Sequence, residues 1–257
     1  MPAIDFSQDG LAEERSQYDI TVKLFYLPNV PSSNRCAQTR EAINLVLKQL
    51  HVSSVDLLIV SFPGISFDAD SEDEEESDFT LSGGSEAESG IEVEDINSMI
   101  EAWRVLEGLH KEGLITRLGV AEFGTLRLTR FLSKALIRPE VDQINVRDCC
   151  VVPEPLIKYA KQEKIELLTH NDCTDILPPG TLRELLGPAP KGSGVLADPE
   201  NESDGLHGDV RPQWVIKYTA VIKDRGVIEN KGYFALAEIA HDANDARKRK
   251  RQEDGDC

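Results

Sequence analysis

Thr169, His170, Asn171, Asp172 and Cys173 follow one another at the end of a short run in which Ile165, Leu167 and Leu168 are apolar. An imidazole, a carboxamide, a carboxylate and a thiol are the groups that hold metal ions or build a Cys-His nucleophile pair. Their spacing argues against either. Adjacent residues at a strand end point to opposite sides, so they rarely converge on one ion. A hydrogen-bonded turn with an Asx cap is the plainer reading. Lys23, inside "ITVKLF", is a second chemical candidate. A lysine in an apolar strand either pairs with a buried acid or turns to solvent. Cys149 and Cys150 are a third: vicinal thiols are usually packing residues, with a redox or intersubunit role as the alternative.

Two charged stretches frame these candidates. Residues 68–95 hold 13 Asp/Glu and no Lys or Arg, against a net charge of −18 for the 257-residue chain. The remainder is therefore only mildly acidic, and the basic face that nucleic-acid binding needs is missing. The insert reads as a solvated, disordered loop in which Ser71 and Ser77 suit acid-directed phosphorylation. Arg247–Arg251 is a basic run that reads as a nuclear-import-like patch or as an ordinary surface end. Five cysteines, odd in number and without metal-ligand spacing, suit a reducing compartment. Of these, Cys257 is the most exposed candidate for oxidation. No secretory leader pattern and no apolar run near the ~20 residues of a membrane span is present, so the expectation is a cytoplasmic chain.

The elements that must position these groups alternate. Strands are expected at 20–27, 55–61, 115–121, 141–146, 165–170 and 226–236. Helical stripes lie between them in "TREAINLVLKQL", in Ile96–Leu109, in "TLRLTRFLSKALI" and in "PEPLIKYAKQEK". "QWVIKYTAVIKD" is also expected to be a helix, and 188–212 a long loop. "VDLLIVSFPG" is almost wholly apolar, as in a strand buried on both faces of a parallel sheet. This is an α/β pattern, doubly wound or closed as a barrel, with no Gly-rich phosphate loop after the first strand.

"VDLLIVSFP", "WRVLEGLHKEGLITRLGVAEF" and "RPEVDQINV" resemble the barrel of the aldo/keto reductases in order and spacing. "INVRDCCVVPEPLIKYAKQEKIELLTHND" and "YTAVIKDRGVIENKGY" resemble a branch without reductase activity, the regulatory (modifier) subunits of glutamate–cysteine ligase. The resemblance covers roughly 19–180 and 213–235. It implies a (β/α)8 TIM-barrel-like domain over 19–237, after an N-terminal segment 1–18 and before a charged tail 238–257. Ligand-facing residues would sit at the C-terminal strand ends. The family's first two strands would precede Ile20, so the N-terminal part of the barrel is expected to be incomplete or remodelled.

Residue by residue, the resemblance implies lost chemistry. Lys23 matches the family's catalytic lysine, but Ser61 stands where the family has histidine. The catalytic tyrosine and aspartate have no counterpart at the matched positions; Tyr18 and Asp19 precede the lysine strand. Among cofactor contacts, Gln143 is kept. Ala121-Glu122 replaces a Ser-Asn pair, His170 replaces a stacking tyrosine, and Lys231 stands at the basic residue that grips the cofactor's extra phosphate. No cofactor is therefore expected, with room only for residual NADPH binding. The implied partner is the catalytic subunit of glutamate–cysteine ligase in a heterodimer, with a lowered glutamate KM and relieved glutathione feedback. Contact candidates are Cys149, Cys150, His170, Asn171, Asp172 and the 214–235 segment. The alternatives are an NADPH-binding oxidoreductase or redox sensor, and a nuclear interaction module addressed by Arg247–Arg251.

Overall fold

The computed structural model describes residues 10–28, 30–65, 95–145, 152–173, 176–178, 180–197 and 205–240. Acidic residues 68–94, Cys149, Cys150, Arg247–Arg251 and Cys257 lie outside them. The chain divides into two compact units, Met1–Thr174 with Ile216–Phe234, and Asp175–Val215 with Ala235–Cys257.

Five strands carry the first unit: β1 (Tyr18–Tyr26), β2 (Val55–Ser61), β3 (Ile115–Ala121), β4 (Val141–Asn145) and β5 (Glu166–His170). Each pairs in parallel with the next. Helices α1 (Arg35–Leu50), α2 (Ile96–Lys111), α3 (Thr125–Leu132) and α4 (Glu154–Glu163) make the crossovers that parallel pairing demands. Asp95, counted above with the disordered insert, is instead the N-cap of α2. Its side chain accepts a hydrogen bond from the Asn97 amide at 3.1 Å. The helix expected over 125–137 stops at Leu132, where Ser133 and the residues after it turn toward Pro139.

The sheet has seven strands in the order β5-β4-β3-β2-β1-β6-β7, where β6 is Asp209–Ile222 and β7 is Val227–Ala240. The parallel α/β architecture expected from the sequence is present. Beyond β2, β1 has β6 as its other neighbour. This corrects the reading of 213–224 as a helix. Val215, Ile216, Thr219, Val221 and Ile222 are β-branched, and Trp214, Ile216, Tyr218, Ala220 and Ile222 are buried at every second position. The four residues between β6 and β7 allow only a hairpin. At the other edge of β6, Lys223 donates its amide to Gln17 O, just before β1. In the second unit, α5 (Thr181–Leu186) precedes a bridge between Leu196 and Leu206, both inside or beside the stretch expected to be loop.

Alternation sorts each strand's side chains onto two faces. On the helix-covered face, Tyr26, Phe62, Phe123, Phe131 and Trp103 form a row of rings with successive centroids 5.1–6.3 Å apart. On the other face the register aligns Lys23, Ile59, Gly119 and Val141 across four strands. Gly119 fits the tight spacing there, where a Cβ would lie 3.0 Å from Val141 Cβ. Leu57, Ile59, Ala121 and Val141 cluster on this face, with Leu168 against them.

Candidate functional site

The polar end of that second face is built around Asp172, two residues beyond β5. Its carboxylate accepts from Lys23 Nζ of β1 at 3.0 Å and from Lys217 Nζ of β6 at 2.6 Å. In the sheet order β1 is four strands from β5, and β6 is five. At ~4.8 Å per strand a flat sheet would hold β5 and β1 ~19 Å apart. The ion pairs therefore require the sheet to curl, with Asp172 reaching across its concave face. Asn145 Nδ2 donates to Asp172 O at 3.2 Å and anchors the turn to β4.

His170 lies on the same side as Asp172, as residues i and i+2 must, while Asn171 and Cys173 are exposed. The imidazole is held between two acids. Nε2 contacts Glu122, and Nδ1 lies 3.3 Å from Asp172 Oδ2 and 3.1 Å from the Asp172 amide nitrogen. The two Nδ1 contacts demand opposite proton states. A neutral ring with its proton on Nε2 accepts the amide hydrogen, whereas an imidazolium pairs with the carboxylate. Burial lowers the His170 pKa, but Asp172 and Glu122 together outweigh it and raise the value above the ordinary one. Asp172 is held well below the usual carboxylate range, first by His170 and then, against the cost of burial, by Lys217 and Lys23. Burial lowers Lys23 and Asp172 opposes that shift. Lys217 is raised, because Asp172 outweighs its partial burial.

Glu122 reaches His170 from a left-handed backbone, φ 64°, just after β3. A non-glycine residue pays about 1–2 kcal/mol for that conformation. Three contacts hold it. Glu122 N donates to Gln143 O at 3.0 Å, its carbonyl accepts from Arg127 at 3.3 Å, and Phe123 N donates to Asp142 Oδ1 at 3.3 Å. Asp142 is fully buried, and burial pushes its pKa well up.

Lys23, Gln143, His170, Asp172 and Lys217 open onto a cavity of about 130 Å3 whose apolar wall is Ile59. Thr21 and Thr219 line it beside the two lysines. Gln143 Oε1 is buried with no hydrogen-bond partner among the described residues. The structure thus gathers four of the residues singled out from sequence: Lys23, Gln143, His170 and Asp172. Ser61 is half-buried at the end of β2 and does not line the cavity; Asn171 points away from it. Lys231 is exposed on β7 and is not part of the cluster. The second lysine of the site is Lys217, which the helical reading of β6 hid. Tyr18 is also elsewhere: its hydroxyl donates to Glu229 at 2.5 Å, and burial followed by that carboxylate raises its pKa.

The arrangement can hold charge, and outside the cavity lining Tyr233 of β7 stands beside Lys217, whose Nζ lies 6.0 Å from its ring centroid. Among the described residues lining the cavity there is no tyrosine, and both lysines are bound to one carboxylate.

Residues 6–183 match the aldo/keto reductase family. The chain is 27% identical over 226 residues to a glutamate–cysteine ligase regulatory subunit of Mus musculus, covering 88% of this chain and 68% of that one. It is 31% identical over 231 residues to a putative glutamate–cysteine ligase regulatory subunit of Schizosaccharomyces pombe, covering 88% and 72%. An NADPH-dependent D-xylose reductase of Candida boidinii is 29% identical over 164 residues, 64% of this chain and 47% of that one. The chain belongs to the aldo/keto reductase family and, within it, to the glutamate–cysteine ligase regulatory subunits.

Proposed function

We propose that this chain is a non-catalytic regulatory subunit that binds the catalytic subunit of glutamate–cysteine ligase, lowers its glutamate KM and relieves its inhibition by glutathione. The observation that carries the reading is the closure of the polar cluster on itself. Carbonyl reduction needs an acid that can protonate the developing alkoxide. Lys23, where the resemblance puts the group that tunes such an acid, is spent on Asp172. Glu122 and His170 both depart from the reductase pattern, and they satisfy each other. A pair of substitutions that are mutual partners is a rebuilt structural element, not a damaged active site.

Regulation asks little of such a scaffold. Binding one conformation of the catalytic subunit better than another by ~1–3 kcal/mol shifts its affinities 5- to 150-fold. Asn171 and Cys173, exposed on either side of the anchored Asp172, are the contact candidates that the strand end offers. The same reading puts the chain in the cytoplasm.

The test is steady-state kinetics of the purified catalytic subunit with and without stoichiometric chain. A lower glutamate KM and a higher inhibitory glutathione concentration are expected; unchanged kinetics together with separate elution would overturn the reading. The open carboxamide of Gln143 favours the second reading, an NADPH-binding oxidoreductase. Fluorescence titration with NADPH separates the two, since saturable quenching is expected only for the second.

A further inference from the structure

The two edges of the sheet are unlike. β5 lies at one edge and spans five residues, of which Leu167 and Leu168 are half-buried. β7 lies at the other and runs for 14. An outer strand presents unpaired amides and carbonyls, and proteins blunt it by shortness, proline, bulges or charge. Among the described residues no strand pairs with the outer edge of β7. Residues 227–233 contain no proline, and Val227, Ile228 and Tyr233 are 53%, 50% and 58% exposed.

This stretch, "VIENKGY", is complementary to itself. Two copies laid antiparallel with Asn230 on the two-fold axis give every residue a defined partner. Glu229 meets Lys231 of the second copy and Lys231 meets its Glu229, so that opposite charges face each other twice. Val227 meets Tyr233 in both directions, a β-branched residue against an aromatic one. Ile228 meets Gly232. The Tyr218 side chain lies over Gly232, where a Cβ would be 2.8 Å from its hydroxyl and 3.0 Å from its ring. With no side chain at 232, Ile228 of the second copy reaches that ring. Glu229 already accepts from Tyr18 and from the Ala12 amide, but a carboxylate has about four lone-pair sites, and room remains for a lysine. Moving the axis one residue either way sets Glu229 against Glu229 or Lys231 against Lys231, so charge selects the register.

We propose that β7 is a self-pairing edge, through which two copies of this chain form a dimer with its two-fold axis at Asn230. Backbone hydrogen bonds between the two β7 strands supply the attraction, and the side-chain pairs fix the register. The contact uses the same patch on both copies, so it closes at two and does not propagate into a filament. The proposal does not rest on the regulatory reading, because it concerns the chain by itself. A chain that leaves the ligase unchanged can still pair with its own copy, and the reverse.

The experiment is sedimentation velocity of the full chain alone through the micromolar range, where a dimer is expected. Lys231→Glu makes both charge pairs repulsive and should raise the dimer Kd about tenfold, with an unchanged far-UV circular dichroism spectrum. The register is read by mild oxidation and peptide mass spectrometry of cysteine variants. Asn230→Cys falls on the axis, with its counterpart's Cα about 5 Å away, and should form a disulfide across the two copies. Ile228→Cys should not, since it stands four residues from its counterpart, about 13 Å along the strand. A chain that stays monomeric, a dimer that Lys231→Glu leaves intact, or a dimer that links through Ile228→Cys and not through Asn230→Cys would each overturn the assignment. A monomer whose Asn230→Cys variant links only to the ligase's catalytic subunit would overturn it too, and would give the edge to that partner.

Discussion

The two faces of the parallel strands bury their side chains in opposite ways. On the helix-covered face, Trp103, Phe131 and Phe123 are fully buried and meet edge to face, with centroids 5.1 and 5.3 Å apart. Each ring adds area, and the one polar atom among these three rings, Trp103 Nε1, donates to Ile137 O at 2.8 Å. On the concave face, Lys23, Asp172 and Glu122 are buried as ions that must answer one another. The first face gains from every contact independently. The second returns its desolvation cost only while the set is complete. Packing therefore carries the stability of this unit, whereas the charged cluster fixes the curl that brings the end of β5 over β1.

Trp103→Ala should sharpen that contrast most. It removes the largest fully buried side chain of the aromatic row and strands the Ile137 carbonyl. A loss of about 3–5 kcal/mol in urea denaturation is expected. Asp172→Ala should cost less, roughly 3 kcal/mol, since it uncovers two lysines but one of them is already partly hydrated. Adding Lys23→Met to Asp172→Ala should recover part of that loss, because the deepest unpaired charge is then gone. A double variant no more stable than the single one would break the comparison and make the cluster additive, like the rings.

How far the sequence showed all this depends on the range of the interaction. β1 to β5 and α1, α2 and α4 follow from local apolar spacing, and they appear where that spacing puts them. β6 did not. In "QWVIKYTAVIKD", Trp214, Tyr218 and Ile222 recur every four residues as on a helix, while the even positions also alternate as on a strand. The β-branched content was the deciding signal. Once β6 is a strand, Lys217 and Thr219 share a face, and the second lysine of the site becomes visible. The pairing of Lys23 with Asp172 joins residues 149 positions apart, and no local pattern encodes it. The Glu122–His170 pair is intermediate. Two departures from the reductase pattern were legible singly, but their partnership depends on the curl that carries β5 toward β3.

The smallest effect separates the two faces by pH. Trp103, Phe123 and Phe131 have nothing to titrate, so variants at these three should shift stability equally at pH 5 and pH 9. His170 differs. Its folded pKa is raised above the unfolded value of about 6.5. Its contribution is therefore fully present below about pH 6.5 and fades as pH rises through the folded value. Below that window the imidazolium bridges Glu122 and Asp172. Above it, the neutral ring keeps Nε2–H on Glu122 and accepts the Asp172 amide at Nδ1. The turn is retained in both states, so the change in stability should be modest. His170→Gln should flatten the stability difference between pH 5 and pH 9 while leaving that of Trp103→Ala unchanged. Nitrogen-15 shifts of the His170 ring, followed from pH 5 to 9, should show Nδ1 losing its proton first, because only Nδ1 has an amide donor waiting to replace it.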